Sequence, residues 1–378
     1  MSEKQLSTKQ FVFLIFLSSI AIKMFLLPAL ILRTFGKNGI WTIAFFIVLE
    51  IMNLILLLVV CRRNPDKTFF QIITDAFGKI VSKIIVAVLF AFTFVKTVIV
   101  VSEIKVFFVA VMYRDINWMV MAIPLIALVT AFAYRPLRAL GRVSEILTPV
   151  VLVSTLILCS LLIPEFDIDG LLPLFDGGIE RIFQGIDKFP LWFGDTTVVL
   201  LFMGNIKISK GFGAWTVVAK LLSSVFVAFF CIVLFSSYGN ISELIDYGNN
   251  ISNLTQLSLG SQDYGRFDLL FYCVWLFSVL IKLAVSFIFT VKSARFIVPA
   301  GSERLTTVIL ALALYFVIAV ILNNEETTFL LATSAVRYFL CPVVYLYPLL
   351  TVITAFVIYK PNYHDLMNKG ARNARKTE

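Results

Sequence analysis

The residues of this chain with the most chemistry open to them are charged side chains set inside long apolar stretches: Lys23, Glu50, Lys96, Glu103, Asp187, Lys188, Asp195 and Lys282. If those stretches lie in a membrane, each charge costs at least about 2.5 kcal/mol at a span centre unless it is paired or faces water. Such groups turn inward. There they can form ion pairs, couple to protons or sodium, or recognise a ligand's charge. Lys96 and Glu103 are seven residues apart, which places them on one helix face about two turns apart. Lys282 is far from either end of its apolar run, so snorkelling to the interface is strained. It reads either as a functional group or as an ion-pair partner of Asp195 or Glu103. Arg142 and Glu145, near the start of a run, read as a local interfacial pair.

Catalytic and metal chemistry have little to work with. The single histidine, His364, lies beyond Pro361, and no serine or cysteine has a base at recognisable spacing, so no enzyme is expected. The five cysteines (Cys61, Cys159, Cys231, Cys273 and Cys341) are isolated and mostly inside apolar runs. They suggest neither a disulfide framework nor a zinc site, and no cofactor is expected.

Two sequence breaks stand next to these charges. In the first apolar run Pro28 removes a backbone donor and clashes with the carbonyl near Met24, so the helix should kink or unwind close to Ala21 and Lys23. In the sixth, Gly185, Phe189, Pro190, Trp192, Gly194 and Asp195 form an irregular stretch. Broken helices at membrane depth persist where protein or a water-filled cavity satisfies the freed backbone groups. Interruptions in the first and sixth spans are the pattern of two inverted five-helix repeats with a binding site between them, although two ordinary proline kinks would read the same way. Trp192 reads either as a pocket wall or as a packing residue.

The elements that position these groups follow from composition. Sixty per cent of the 378 residues are hydrophobic and 15 per cent charged. About 20 apolar helical residues cross a bilayer, and the chain offers about ten such blocks. They fall at roughly 11–32, 39–60, 80–111, 118–134, 145–163, 186–205, 215–237, 267–290, 305–322 and 334–358. The expected fold is therefore all-α and integral to the membrane, one polytopic domain over residues 1–378 with about ten transmembrane helices. No removable signal peptide is read before the first span. Thr68 to Lys79 alternates apolar and polar residues as a short helix lying on the membrane surface would.

Lysine and arginine collect in alternate connections, which places both termini in the cytoplasm. Lys207, Lys210 and Lys220 count among the inner positives, as do Arg135, Arg138, Arg142, Lys292, Arg295 and Arg304, while acidic residues gather outside. The formal charge of +9 is then topological, and no nucleic-acid partner is expected. Asn240, Asn250 and Asn253, in the longest outer connection, fit the glycosylation acceptor pattern, which has no meaning in a bacterial protein. That connection also suits docking to another protein.

Several motifs recur together in order. They are Leu6 to Gln10, Leu27-Pro28, Asp66 to Gly78, Gly141 to Pro149, Leu171 to Gly178, Gly265 to Asp268 with Trp275, and Lys282 with its apolar neighbours. In these the chain resembles the spore germination B-subunit family (GerAB type), within the amino acid/polyamine/organocation transporter superfamily. The resemblance runs nearly end to end. It implies ten spans in two inverted repeats, with helices 1 and 6 broken around a mid-membrane cavity.

It also implies the role of nutrient-sensing subunit of a germinant receptor, in a bacterial spore inner membrane or cell membrane. The expected partners are an A-type membrane subunit, a C-type lipoprotein and a small nutrient, an amino acid by family habit. The ligand site would then include Ala21, Lys23, Pro28, Phe189, Trp192, Gly194 and Asp195, beside a charge network of Lys96, Glu103 and Lys282. The competing expectation is a proton- or sodium-coupled amino-acid permease using the same cavity. One departure matters: family members carry small, glycine-like residues at the first break, where this chain has Ile20-Ala21-Ile22-Lys23. Lys23 could supply positive charge to a ligand there or fill the site itself.

Overall fold

The chain enters its first helix through a capping box. Ser7 Oγ accepts from the Gln10 N–H and Gln10 Oε1 accepts from the Ser7 N–H, both at 3.2 Å. Two donors that a helix start leaves free are thereby satisfied. This helix, α1 (Thr8–Ile20), ends at a non-helical stretch containing Ala21, Lys23 and Met24, and α2 (Leu26–Phe35) follows. The computed structural model describes residues 5–21, 23–24, 26–111, 118–172, 190–238, 267–299, 301–321 and 336–354. Phe189, Asp187, Lys188, His364 and the three Asn-X-Ser/Thr sites lie outside the described residues.

The remaining helices are α3 (Gly39–Arg63), α4 (Phe69–Val111), α5 (Trp118–Ala133), α6 (Leu137–Leu162) and α7 (Ile168–Leu171). They are followed by α8 (Pro190–Phe193), α9 (Val198–Phe202), α10 (Phe212–Tyr238), α11 (Phe267–Ile297), α12 (Glu303–Phe316) and α13 (Val336–Ile353). Among the described residues, the strands are two residues long. β1 (Leu6–Ser7) pairs in parallel with β2 (Ile206–Lys207), Leu6 opposite Ile206. That pairing, with the Thr8 hydroxyl donating to the Lys207 carbonyl at 2.9 Å, ties the start of α1 to the segment just after α9.

Five described helical segments are long and apolar enough to cross a membrane: Gly39–Arg63, Phe69–Lys105, Leu137–Leu162, Phe212–Ser237 and Tyr272–Ile297, with mean hydropathies of 2.2 to 2.9. Thr8–Ile20, Met119–Ala133 and Pro342–Ile353 are shorter apolar helices. The outward surface is apolar too, with Ile80, Ile146, Leu312 and Trp215 each more than 60 per cent exposed. Water would not tolerate such a surface, whereas hydrocarbon does. The molecule is an all-α, multi-spanning membrane protein.

Helix ends depart from the apolar run lengths where polar residues are helical. α6 begins at Leu137 rather than near Glu145, because Pro136 opens the helix and the arginines of its first turns extend it. The segment expected on the membrane surface is helical and forms the start of α4, but Phe69, Ile72 and Ile73 are buried against protein, and Phe70 stacks on Phe296 at 5.1 Å. Gly78 joins it to the rest of α4 with φ 73°, a conformation in which an L side chain is strained. The centre of the fold is α11. Seventy-eight per cent of its most apolar window is buried, against 28 to 56 per cent for the other four long segments. A charge near the middle of α11 therefore has protein, and not lipid, around it.

Candidate functional site

Among the described residues, four lysines and three carboxylates meet inside the protein, each 6 per cent exposed or less. Lys23 stands in the interruption between α1 and α2, and Asp195 opens the 3-10 turn (Asp195–Thr197) between α8 and α9. Lys23 Nζ lies 2.7 Å from Glu50 Oε1, 2.6 Å from Glu50 Oε2 and 3.1 Å from Asp195 Oδ2. It thus bridges α3 to the second interruption. The same ammonium is 4.8 Å from the ring centroid of Phe193, which stacks on Phe46 at 4.3 Å. Lys96 of α4 and Lys282 of α11 both approach Asp195 Oδ1, at 2.6 and 2.8 Å. Lys220 of α10 reaches Glu50 Oε2 at 2.7 Å.

The interruptions leave backbone groups free, and nearby side chains take them. Trp275 Nε1 on α11 donates to the Ala21 carbonyl. Thr197 Oγ1 donates to the Gly194 carbonyl at 2.7 Å. These bonds replace the intrahelical partners that membrane interior cannot supply as water would. Pro28 falls within the first turn of α2, downstream of the non-helical residues, where a missing N–H costs nothing.

Two features of the electrostatics stand out. Among the described residues, four ammonium groups (Lys23, Lys96, Lys220 and Lys282) face three carboxylates (Glu50, Glu103 and Asp195), a formal excess of one positive charge. The contacts of Lys96 and Lys282 with Asp195 are ion pairs by distance but are not aligned as hydrogen bonds, so both ammonium groups and both Asp195 oxygens keep unused bonding capacity. Glu103 Oε2 is likewise unbonded, while Glu103 Oε1 accepts from Trp192 Nε1 at 2.5 Å. A buried centre of this kind carries a formal excess of positive charge and holds Lys96 and Lys282 close to Asp195 without aligned hydrogen bonds. Its chemical complement is an anionic group with several oxygens.

The structure thus brings Lys23, Asp195, Lys96 and Lys282 into one cluster, and of the two partners considered for Lys282 it pairs with Asp195. Lys96 and Glu103 do lie on one face of α4, one meeting Asp195 and the other Trp192. Trp192 is buried and hydrogen-bonded. Lys220, by sequence an inner positive residue, is 1 per cent exposed and part of the cluster. A polar stripe of Thr216, Lys220, Ser223 and Ser224 on α10, all buried, is the spacing that marks its inward face. The expected Arg142–Glu145 pair is replaced by Lys9–Glu145 at 3.0 Å, with Gln10 Nε2 donating to Glu145 at 3.3 Å, because the start of α1 packs against α6. Among the described residues no three of His, Cys, Asp and Glu group as metal ligands would.

A multi-spanning α-helical membrane protein with a desolvated charge cluster between two interrupted helical segments is the class that fold and site define. The chain belongs to the spore germination protein family, whose profile matches residues 5–328. Membership makes it a membrane protein of spore germination and not an enzyme, working in a complex of the germinant-receptor kind. No curated protein matches the chain. Among solved structures, it is similar to Mhp1, a nucleobase-cation-symport-1 family transporter in a closed conformation with bromovinylhydantoin bound. The likeness has 11 per cent identity and a TM-score of 0.49, over 94 per cent of this chain and 79 per cent of that one.

Proposed function

We propose that this chain is the nutrient-sensing membrane subunit of a spore germinant receptor. A small carboxylate-bearing nutrient, an amino acid in the simplest case, enters the charge cluster between the helix interruptions. The observation that carries this reading is the cluster itself. Lys96 and Lys282 are held on Asp195 without aligned hydrogen bonds, in a centre with one positive charge in excess. A ligand carboxylate neutralises that excess and competes with Asp195 for the two ammonium groups. Lys23 bridges Glu50 and Asp195, so the same competition loosens a link between α3 and the second interruption. Occupancy signals only if the ligand binds the loosened arrangement more tightly than the locked one.

In this reading the spans form two inverted five-helix repeats with the first and sixth helices broken, both termini are cytoplasmic, and an A-type membrane subunit and a C-type lipoprotein relay the change. Ala21, Pro28, Trp192 and Gly194 shape the surroundings of the charges. The test is germination of spores that carry Lys282→Met, which removes one of the two ammonium groups offered to the ligand, as the sole copy, beside a clean deletion. A nutrient whose response disappears in both, with the protein still present in the membrane, supports the reading. Unchanged germination of the deletion by every nutrient overturns it.

A second reading rests on the same titratable groups. Glu103, whose Oε2 is buried without a hydrogen bond, and Lys282, whose ammonium group is unaligned, suit coupling of solute movement to protons or sodium in an amino-acid permease. Accumulation of labelled solute against a gradient in vesicles containing this chain alone would establish transport. Binding without accumulation favours the sensor.

A further inference from the structure

Away from the buried cluster, a cleft of about 1120 Å³ opens where several helices end together. It is lined by the α5–α6 connection (Tyr134 and Arg135), by Asn205 after α9, by Lys292 near the end of α11, and by Glu303 and Arg304 at the start of α12. Arg135 and Arg304 are exposed and Lys292 is half-buried. Three cations thus arrive from three separate segments. Among the described lining residues the one carboxylate, Glu303, is engaged by Arg295 at 2.8 Å. The Tyr134 hydroxyl, 3.5 Å from the Arg304 carbonyl, ties two of the segments across the opening. Pro136 and Ser302 begin two long helices at the rim, which adds the positive ends of their dipoles to the same space.

The depth of this cleft narrows what can fill it. The apolar helices α5, α6 and α11 stop or start near its wall and α12 begins there, an arrangement that suits the level where a bilayer's hydrocarbon gives way to its headgroups. At that level the abundant anion is the phosphate of a lipid, and basic pockets between helix ends are suited to it. Arginine offers several donors in a fixed fork that matches phosphate oxygens, and two arginines plus a lysine can surround one group. We propose that this cleft binds the phosphate-bearing headgroup of an anionic phospholipid. The inference is independent of the nutrient site, and none of its residues belongs to the buried cluster.

The test uses the purified full chain stripped of lipid in a neutral detergent, with retained lipids counted by native mass spectrometry. Phosphatidylglycerol and phosphatidylcholine are titrated separately into wild type and into the Arg135→Gln/Arg304→Gln variant. A second variant, Lys207→Gln/Lys210→Gln, removes the same charge from exposed positions outside the cleft. The expected result is preferential retention of phosphatidylglycerol by wild type, weakened about tenfold or more in the arginine variant and unchanged in the lysine variant. Equal loss in both variants means a diffuse field and not a site, and overturns the proposal, as does equal retention of the two lipids. Displacement of phosphatidylglycerol by inorganic phosphate at comparable concentration also overturns it, because the cleft would then recognise a free ion and not a lipid.

Discussion

Neutralising Asp195 and neutralising Lys220 should have opposite consequences, although both side chains are buried and ion-paired. Asp195 is contacted by Lys96, Lys282 and Lys23 at 2.6, 2.8 and 3.1 Å. Asp195→Asn leaves four ammonium groups facing two carboxylates and raises the excess from one charge to two. Stranding buried charge in this way costs about 3–5 kcal/mol. Lys220→Met leaves three ammonium groups facing three carboxylates, and Glu50 keeps both of its contacts with Lys23, at 2.7 and 2.6 Å. Its cost is at most one charge-assisted hydrogen bond, offset by relief of the excess, and should stay below about 2 kcal/mol.

The assay is thermal unfolding of the detergent-solubilised proteins at one scan rate and fixed salt. Asp195→Asn should lower the midpoint by about 4–6 °C, whereas Lys220→Met should lie within about 3 °C of wild type. Equal losses for the two variants, or a larger loss for Lys220→Met, would refute the charge count on which the reasoning rests.

Other expectations follow from single contacts. Trp192→Phe removes the donor to Glu103 Oε1 and leaves a buried carboxylate without a hydrogen bond, at a cost of about 1–3 kcal/mol. A double-mutant cycle with Glu103→Leu should show coupling of that order, and strict additivity would contradict it. Gly170→Ala would bring a Cβ within 2.0 Å of the Ser236 carbonyl, so it should prevent α7 from seating on α10 and lower expression of folded protein. Gly78→Ala meets no atom within 4 Å and should cost only the strain of its positive φ, about 1–2 kcal/mol. Lys9→Ala breaks a pair that is 65 and 34 per cent exposed, and should change stability by less than about 1 kcal/mol.

How much of this was readable beforehand depends on whether a signal was local. A charge in an apolar run beside proline or glycine is a local contradiction, so Lys23 and Asp195 could be singled out, as could Lys96, Glu103 and Lys282. Their partners were not local. Lys23 meets Glu50 on α3, and Lys282 meets Asp195 across most of a hundred residues, pairings that only helix packing decides. Lys220 was hidden because a basic residue within two turns of a helix start reads as a membrane-edge anchor. Only the rotation of α10, marked by Thr216 and Ser223, turns it inward. In sequence the nearest cation to Glu145 is Arg142, but α1 brings Lys9 and Gln10 to it from more than a hundred residues away. The amphipathic start of α4 was legible as a helix. Its burial was not, since a protein wall and a membrane surface ask for the same apolar stripe.

The direct test of the charge cluster as a nutrient site is ligand-induced stabilisation. The nutrient that germinates spores through this gene is added to purified wild type, to Lys282→Met and to Asp195→Asn, and the unfolding midpoint of each is followed against nutrient concentration. A ligand that binds only the folded state raises the midpoint by mass action. The expected result is a saturable rise for wild type, much reduced in Lys282→Met, where one of the two ammonium groups offered to the carboxylate is gone. For Asp195→Asn the response should differ from wild type in concentration dependence, because the internal competitor has been removed. The same rise at the same concentrations in all three proteins would place the ligand elsewhere and contradict the assignment.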